Sequence, residues 1–280
     1  MYYYILDPRG LSSEKFEKYQ IILQGLLAEF KIAGEMARVT SLRSIGDFVE
    51  TAGQRGAKTL VAAGSDDSSN LMFAYLQGRD LTLGFIPFDE ESYLGKILGV
   101  ETLPLAVKTI AARRIEKIDL ATVNKSYFIS SLEFGVIGSK LREASLLDSL
   151  RILSASAQKL TIRIDDSYSM SLECLGGLVV NTRSTSSKDA SIANPTDGYL
   201  DLLILEPLNK RQILQYRHKI IQGRLEEIPN TSVIRCRRVE FLEPFGANLV
   251  IAGKVVAKYP ATVEIIPLQL RMIVGKNRTF

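Results

Sequence analysis

The sequence predicts an N-terminal three-layer α/β/α domain with a parallel sheet, followed by a mostly antiparallel, β-sandwich-like domain. Short apolar stretches alternate regularly with amphipathic stretches over the first 118 residues, which is typical of a parallel sheet covered by helices. Closely spaced strand-like segments then follow. A chain of 280 residues is long enough for two domains. We therefore expect domains at 1–118 and 119–267, with residues 268–280 returning to the first.

Each N-terminal element follows from the spacing of its apolar residues. Residues 14–30 and 41–56 place apolar side chains at helical spacing, so each stretch has one apolar face. Residues 59–64 are apolar on both faces, as in a strand covered by helices. The expected strands are 2–6, 36–40, 59–64 and 81–87, and the expected helices are 14–30, 41–56, one from about Ser69, and further helices between about Leu94 and Arg114.

In the second domain, strand-like segments separated by turns dominate, which is typical of an antiparallel β domain. The expected strands are 126–134, 159–165, 176–182, 199–206, 237–243, 248–259 and 261–267, and the expected helices are 140–153 and 210–225.

The composition limits the class of protein. The formal net charge of +4 permits contact with nucleic acid or an anionic membrane without arguing for either, and we expect no nucleic-acid partner. No apolar run approaches the ~18–20 residues needed to span a bilayer. Cys174 and Cys236 are too few for a disulfide framework. Without a targeting signal at the N-terminus, we expect a cytoplasmic protein. His218, which has no cysteine or histidine cluster around it, is interpreted as a structural or surface residue.

The stretch "LVAAGSDDSSNLMFAYL" (Leu60–Leu76) has the order strand, turn, helix. Backbone N–H groups at a helix N-terminus favour anions, and a small residue such as Gly64 lets phosphate approach. However, Asp66 and Asp67 are also ordinary helix-capping residues. The stretch is therefore either a phosphate site or a capped helix.

A second junction, "LGFIPFDEESYLGKILGV" (Leu83–Val100), carries three consecutive carboxylates at Asp89, Glu90 and Glu91. They repel phosphate unless a cation bridges them, and they also suit the start of a helix.

A third segment, "ANPTDGYLDLLIL" (Ala193–Leu205), places Asp197 and Asp201 around an Asp-Gly turn. The two carboxylates could share Mg²⁺ with backbone carbonyls, or they could belong to a plain turn and strand.

Together these junctions resemble the diacylglycerol kinase catalytic-domain family, which includes bacterial lipid kinases and sphingosine kinases and is distantly similar to NAD kinases and phosphofructokinases. The family signatures are Gly-Gly-Asp-Gly-Thr-x-Asn, Pro-Leu-Gly-Thr-Gly-Asn-Asp-Phe, Pro-x-x-Asp-Gly-x-x-Asp and an Asp-Gly-Glu hairpin. Counterparts of all four occur here in order, over nearly the whole chain. The resemblance implies the two-domain fold, an active site in the cleft between domains, and ATP and Mg²⁺ as cofactors.

The first signature is matched with changes. Ser65 and Asp67 replace two glycines that allow close phosphate approach in the family, and Asp7 replaces the asparagine of an N-terminal Asn-Pro-x-Ser-Gly signature. The resemblance assigns nucleotide binding to Asp7, Gly64, Asp66, Ser68 and Asn70.

The other signatures are kept unevenly. Pro87 matches the second, but Asp89–Tyr93 stand in place of Gly-Thr-Gly-Asn-Asp. In the fourth, Ala252 and Lys254 replace the Asp and Glu, and the family assigns the catalytic base to that Asp. The third is intact at Pro195, Asp197, Gly198 and Asp201, and the resemblance implies structural Mg²⁺ held by Asp197, Asp201 and the Tyr199 carbonyl.

Three hypotheses for function remain. The chain is a catalytically impaired member of this ATP-dependent lipid kinase family with a binding or regulatory role. Alternatively, it is an active kinase in which Asp66, Asp89, Glu90 and Glu91 hold Mg-ATP, with Asp66 or a neighbouring acid as base. As a third alternative, the acidic cluster draws a cationic or metal-bound substrate for another reaction.

The resemblance also implies possible partners. These are a lipid or small-molecule ligand in the cleft, peripheral contact with the inner membrane surface, and a second copy in a homodimer. Basic clusters that could meet an anionic bilayer, or could be plain solvated charge, are Arg113, Arg114 and Lys117, and Arg235, Arg237 and Arg238.

Overall fold

A computed structural model of the chain describes residues 1–76, 78–88, 92–137, 156–183, 193–251 and 253–280, without the side chain of Asp67. The described residues form two compact units. The first consists of the described residues within Met1–Asp119, Arg183–Lys188 and Leu268–Phe280, and the second of those within Leu120–Thr182 and Asp189–Pro267. The predicted fold class, a parallel α/β part and a mostly antiparallel β part, is confirmed.

The first unit is built on a parallel sheet in the order β2-β1-β3-β4-β16. Its strands are β1 (Tyr2–Leu6), β2 (Glu35–Arg38), β3 (Thr59–Gly64), β4 (Thr82–Pro87) and the last residues of β16 (Ala261–Ile273). Its helices are α1 (Ser13–Glu29), α2 (Ile45–Gln54), α3 (Asp66–Leu76), α4 (Tyr93–Leu98) and α5 (Leu103–Ala112).

The two central strands, β3 and β4, are covered on both faces within the first unit. Every residue of β3 and of β4 is buried, which requires cover on both faces. Helix α1 contacts α5, and helix α2 contacts α3. A capping box between Ser44 and Asp47 fixes the start of α2.

Helix α3 begins at Asp66, so the predicted start near Ser69 is wrong. The polar residues that we interpreted as a turn form the first turn of the helix instead. Carboxylates are favourable there because they complement the helix dipole.

The second unit contains two antiparallel sheets. A six-stranded sheet has the order β12-β11-β10-β7-β14-β15, and the second sheet runs β16-β13-β8-β9, with β5 paired to β16 and to β6. The remaining strands are β5 (Ile115–Val123), β6 (Ser126–Phe128), β7 (Ser131–Gly135), β8 (Gln158–Ile164), β9 (Tyr168–Cys174), β10 (Gly176–Val180), β11 (Leu200–Leu205), β12 (Thr231–Cys236), β13 (Arg238–Glu243), β14 (Asn248–Ile251) and β15 (Lys254–Lys258).

An apolar core lies between these two sheets. The rings of Phe134 in β7 and Phe241 in β13 have centroids 5.1 Å apart, so side chains from both sheets meet there. On the other face of β11, Leu203 belongs to a second apolar cluster together with Ile213 and Ile220 of helix α6 (Lys210–Ile221). His218 lies in the last turn of this helix and is exposed.

Strand β5, which follows helix α5, was not predicted from the sequence, and neither were strands β9 and β12. Strands β9 and β12 each lie at the edge of a sheet, and neither has the run of apolar residues by which the buried strands were recognised. The helix predicted at 140–153 lies outside the described residues. In the part of the chain that the structure describes, no helix is long and apolar enough to cross a membrane.

The thiols of Cys174 and Cys236 are both free and buried. Burial raises the pKa of Cys174 to about 11 and that of Cys236 to about 12. Because the thiolate is the reactive form, we expect neither cysteine to react with a thiol reagent in the native protein near pH ~8. A colorimetric thiol assay should detect both only after denaturation, and rapid labelling of the native protein would contradict the buried positions.

Candidate functional site

The first unit has a topological switch point between β1 and β3. The chain leaves β1 toward β2 on one side and returns to β3 on the other side. Ligands of open α/β sheets bind at the carboxyl ends of strands at such a point. Asp7 directly follows β1, and Gly64 ends β3, so the structure brings these predicted residues to the same edge. Asp66 and Ser68 lie next to them, in the first turn of α3.

Gly64 is required here by packing within the protein. A Cβ atom at this position would lie 2.8 Å from Ser68 Oγ and 3.1 Å from both the Cβ and the backbone oxygen of Asp7. The backbone N–H of Asp7 donates to the Ala63 carbonyl at 2.8 Å, which holds the ends of the strands together. The glycine therefore allows strand β3 and helix α3 to approach β1 closely.

Asp7 is 2% exposed and is bound by a serine and an arginine. Ser68 Oγ donates to Asp7 Oδ2 at 2.8 Å, and Arg9 Nε donates to Oδ1 at 2.8 Å and to Oδ2 at 3.0 Å. Burial by itself raises the pKa of Asp7, but the hydrogen bonds from Arg9 and Ser68 outweigh it and hold the pKa below its ordinary value. Asp7 is therefore a stable carboxylate.

Sequence reasoning missed the role of Arg9. Its backbone N–H donates to Asp7 Oδ1 at 3.1 Å, which is a local turn closed by the aspartate side chain. The segment "DPRG" contained this signal, because an aspartate two residues before a donor favours such a turn.

Asp66 spans from α3 to the start of α4. Its Oδ1 accepts from the Ser92 hydroxyl at 2.5 Å, and its Oδ2 accepts from the backbone N–H groups of Tyr93 at 2.9 Å and Leu94 at 3.1 Å. Ser92 Oγ in turn accepts from the Gly95 N–H at 2.8 Å. Lys96 N–H donates to the Ser92 carbonyl at 3.2 Å.

These bonds use every backbone donor in the first turn of α4. The first four N–H groups of a helix normally lack partners, which is why helix starts bind anions. Here, Asp66 and Ser92 accept from them. A carboxylate of the protein therefore lies where this turn could have bound a phosphate.

The other residues that the sequence analysis singled out in the first unit are only partly described. Asn70 is partly buried in α3, and Ser65 Oγ lies 3.4 Å from Ser68 Oγ. The side chain of Asp67 and residues Asp89, Glu90 and Glu91 lie outside the part of the chain that the structure describes.

The third signature lies in the second unit, around a turn at Gly198 with a φ of 75°. Asp197 Oδ1 accepts from the Tyr199 N–H at 3.0 Å, and its Oδ2 is paired with the guanidinium of Arg235. Asp201 Oδ2 accepts from the Ala193 N–H at 2.7 Å.

Each of the two aspartates that the sequence analysis assigned to magnesium has a partner within the protein. Among the described residues, no three His, Cys, Asp or Glu side chains are grouped to hold a metal ion. Mg²⁺ requires about six oxygen ligands in octahedral geometry. One predicted carboxylate already pairs with a guanidinium, and the other accepts from a backbone amide.

The fourth signature forms the β14–β15 hairpin. Ile251 pairs with Lys254 across the turn, and Gly253 has a φ of 77°. Lys254 is exposed, and Ala252 lies outside the described residues.

Several residues of the two predicted basic clusters have local partners. Arg113 donates to Thr59 Oγ1 at 2.8 Å, and Arg238 donates to Glu240 at 2.9 Å. The backbone N–H groups of Arg237 and Arg238 both donate to Asp165. These bonds fix the clusters within the fold.

Comparison with known proteins agrees with the predicted resemblance. Residues 147–274 match the family model of the YegS C-terminal NAD kinase beta sandwich-like domain. Two solved structures of a "putative diacylglycerol kinase" from Bacillus anthracis str. Sterne superpose with TM-scores of 0.77 and 0.76 at 16% identity. They cover 99% of this chain and 96% and 98% of theirs.

A third structure, of a diacylglycerol kinase from the same organism, has a TM-score of 0.71 at 16% identity over 98% of this chain and 97% of its own. No curated protein sequence matches the chain. The resemblance predicted from the four signatures is therefore confirmed, by the family model over the C-terminal part and by the fold over nearly the whole length.

The close approach at Gly64 predicts a sensitive position. We expect Gly64→Ala to lower the free energy of unfolding by ~1–3 kcal/mol, because the added methyl group overlaps Ser68 and Asp7. Gly25→Ala, inside helix α1, is the matched control, since a Cβ there has no neighbour within 4 Å. It should be neutral or stabilising by up to ~1 kcal/mol. Urea unfolding measures both, and equal effects would contradict the packing described.

The lowered pKa of Asp7 predicts the acid dependence of stability. The pKa of Asp7 in the folded protein lies below its unfolded value of about 3.9, so the charged carboxylate of Asp7 stabilises the fold above that pH. The stabilisation is lost as the pH falls through the folded pKa. We expect stability to fall less steeply between about pH 5 and pH 2 in Asp7→Asn than in the wild type. Asp80→Asn is the control for loss of charge, because its exposed carboxylate takes part in a surface ion pair with Arg271, which contributes little to stability. Equal slopes in all three proteins would contradict this role of Asp7.

Proposed function

We propose that this chain, which has the fold of diacylglycerol kinases, is a homologue in which phosphoryl transfer is impaired and which serves a binding or regulatory role. The observation that carries the proposal is the buried carboxylate of Asp7 at the carboxyl end of β1, where the family signature has an asparagine and where the Arg9 guanidinium is bound. Phosphoryl transfer depends on positioned donors and on neutralising phosphate charge. Here the Arg9 guanidinium already binds an internal anion.

Charge at the switch point supports the same conclusion. The guanidinium of Arg9 is paired with the buried carboxylate of Asp7, which reduces what it can offer a phosphate. The segment that corresponds to the second signature adds the acidic side chains Asp89, Glu90 and Glu91. Like charges repel a nucleotide phosphate unless cations intervene.

The fourth signature lacks the groups that would take a proton from the acceptor hydroxyl. The resemblance assigns the base to the position of Ala252, where the side chain is a methyl group, and the neighbouring acid to Lys254. Removal of a general base lowers the rate by about 10²–10⁴-fold. A fold retained without this chemistry is what we expect of a protein that binds and regulates.

Calorimetry with Mg-ATP tests the proposal. We expect no heat of binding in the wild type at millimolar ATP, because the Asp7 carboxylate adds negative charge at the carboxyl ends of β1 and β3 and binds the Arg9 guanidinium. Saturable, Mg²⁺-dependent binding in the wild type would overturn the proposal in favour of a working kinase.

The Asp66→Asn substitution distinguishes the impaired homologue from the active kinase by whether it weakens or strengthens ATP binding. If Asp66 held the Mg²⁺ of Mg-ATP, the substitution would weaken ATP binding. If Asp66 occupies the anion position, the substitution should leave binding unchanged or strengthen it, because a negative charge is removed from beside the phosphates. Asp80→Asn removes the same charge at an exposed place in the first unit and is the matched control.

A further inference from the structure

We infer that the guanidinium of Arg235 provides, within the protein itself, the positive charge that the resemblance assigns to Mg²⁺ at Asp197 and Asp201. The second unit should then be stable without a divalent cation. The inference rests on the geometry of the third signature and is independent of whether the chain transfers phosphate.

Asp197 is the first part of this arrangement. One carboxylate oxygen accepts from the Tyr199 N–H at 3.0 Å, which closes the Asp-Gly turn, and the other is paired with Arg235. The carboxylate side chain is 19% exposed, so its charge is largely removed from water. A carboxylate in this position needs a cation or several donors, and Arg235 is the cation that contacts it.

The register of the sheet brings the same arginine to the second aspartate. Asp201 in β11 lies directly opposite Arg235 in β12. Directly opposed residues of an antiparallel pair project from the same face, with Cβ atoms about 5 Å apart. Strand pairing therefore places the arginine on the same face as Asp201, while its guanidinium reaches Asp197 in the preceding turn.

Tyr199 keeps the guanidinium in place. The guanidinium carbon of Arg235 lies 4.5 Å from the centre of the Tyr199 ring, and that of Arg237 lies 4.9 Å from it. The Tyr199 hydroxyl also accepts from Arg237 at 3.4 Å. A planar guanidinium on an aromatic face is held by cation–π attraction and loses fewer rotamers on pairing.

A magnesium ion would have to displace this arrangement. It would bring two positive charges next to the guanidinium on the same carboxylate, and repulsion between them is strong at such distances. It would also compete with the Ala193 N–H for Asp201. The chain's own cation thus makes the metal unnecessary.

Thermal unfolding of the full chain in EDTA and in millimolar Mg²⁺ tests the inference with Arg235→Gln and Arg237→Gln. Arg237→Gln is the matched control because it removes a guanidinium from the same ring and leaves the pair with Asp197. For the wild type and for Arg237→Gln, we expect the melting temperature of each protein to be the same in EDTA as in Mg²⁺. Arg235→Gln should melt several degrees lower in EDTA and recover part of the loss in Mg²⁺, which can then reach Asp197.

A wild-type melting temperature that rises in Mg²⁺ and falls in EDTA would overturn the inference, as would an Arg235→Gln variant without any response to Mg²⁺. If Arg235→Gln does not fold, equilibrium dialysis of the wild type with Mn²⁺ decides the question. No bound Mn²⁺ supports the inference, and binding that Asp197→Asn abolishes overturns it. Neither measurement depends on ATP binding, so failure here is distinguishable from failure of the proposed loss of catalysis.

Discussion

The candidate site depends on the close approach of β3 and α3 to β1 at Gly64. With no Cβ at this position, Ser68 Oγ and the backbone of Asp7 can occupy the space beside the glycine. The hydrogen bond from Ser68 to the buried Asp7 carboxylate forms only at that separation. The side chain of Arg9 donates to the same carboxylate, because a carboxylate that is 2% exposed needs donors on its remaining lone pairs.

A shared feature of the predicted ligand-binding carboxylates is that each has a protein partner. Asp7 is bound by Arg9 and Ser68, Asp66 by Ser92 and the first turn of α4, and Asp197 by Arg235. A carboxylate removed from water is costly unless it is paired or hydrogen-bonded. A bound ligand or the protein itself can meet this requirement. In this chain, internal groups meet it, which links the proposed loss of catalysis to the proposed replacement of magnesium.

Prediction from sequence succeeded where apolar residues follow a regular pattern, and it failed where contacts with neighbouring elements determine the local structure. The buried strands β3 and β4 were recognised from continuous apolar runs, whereas the edge strands β9 and β12 were missed, because an edge strand needs fewer apolar side chains. The start of α3 was placed too late, since polar residues that suit a turn also suit the first turn of a helix.

The sequence by itself determined the α/β and antiparallel parts, the buried strands of the first unit and the positions of the four signatures, because these depend on local periodicity and spacing. Tertiary structure decided what the signature residues contact. Asp66 bonds to residues 26 to 28 positions away, and Asp197 pairs with an arginine 38 positions away. Such partners are set by strand register and by the close approach of elements at a strand end. No local pattern encodes these distances, so the same aspartates that indicated ligand binding in the sequence are bound to the protein's own donors in the fold.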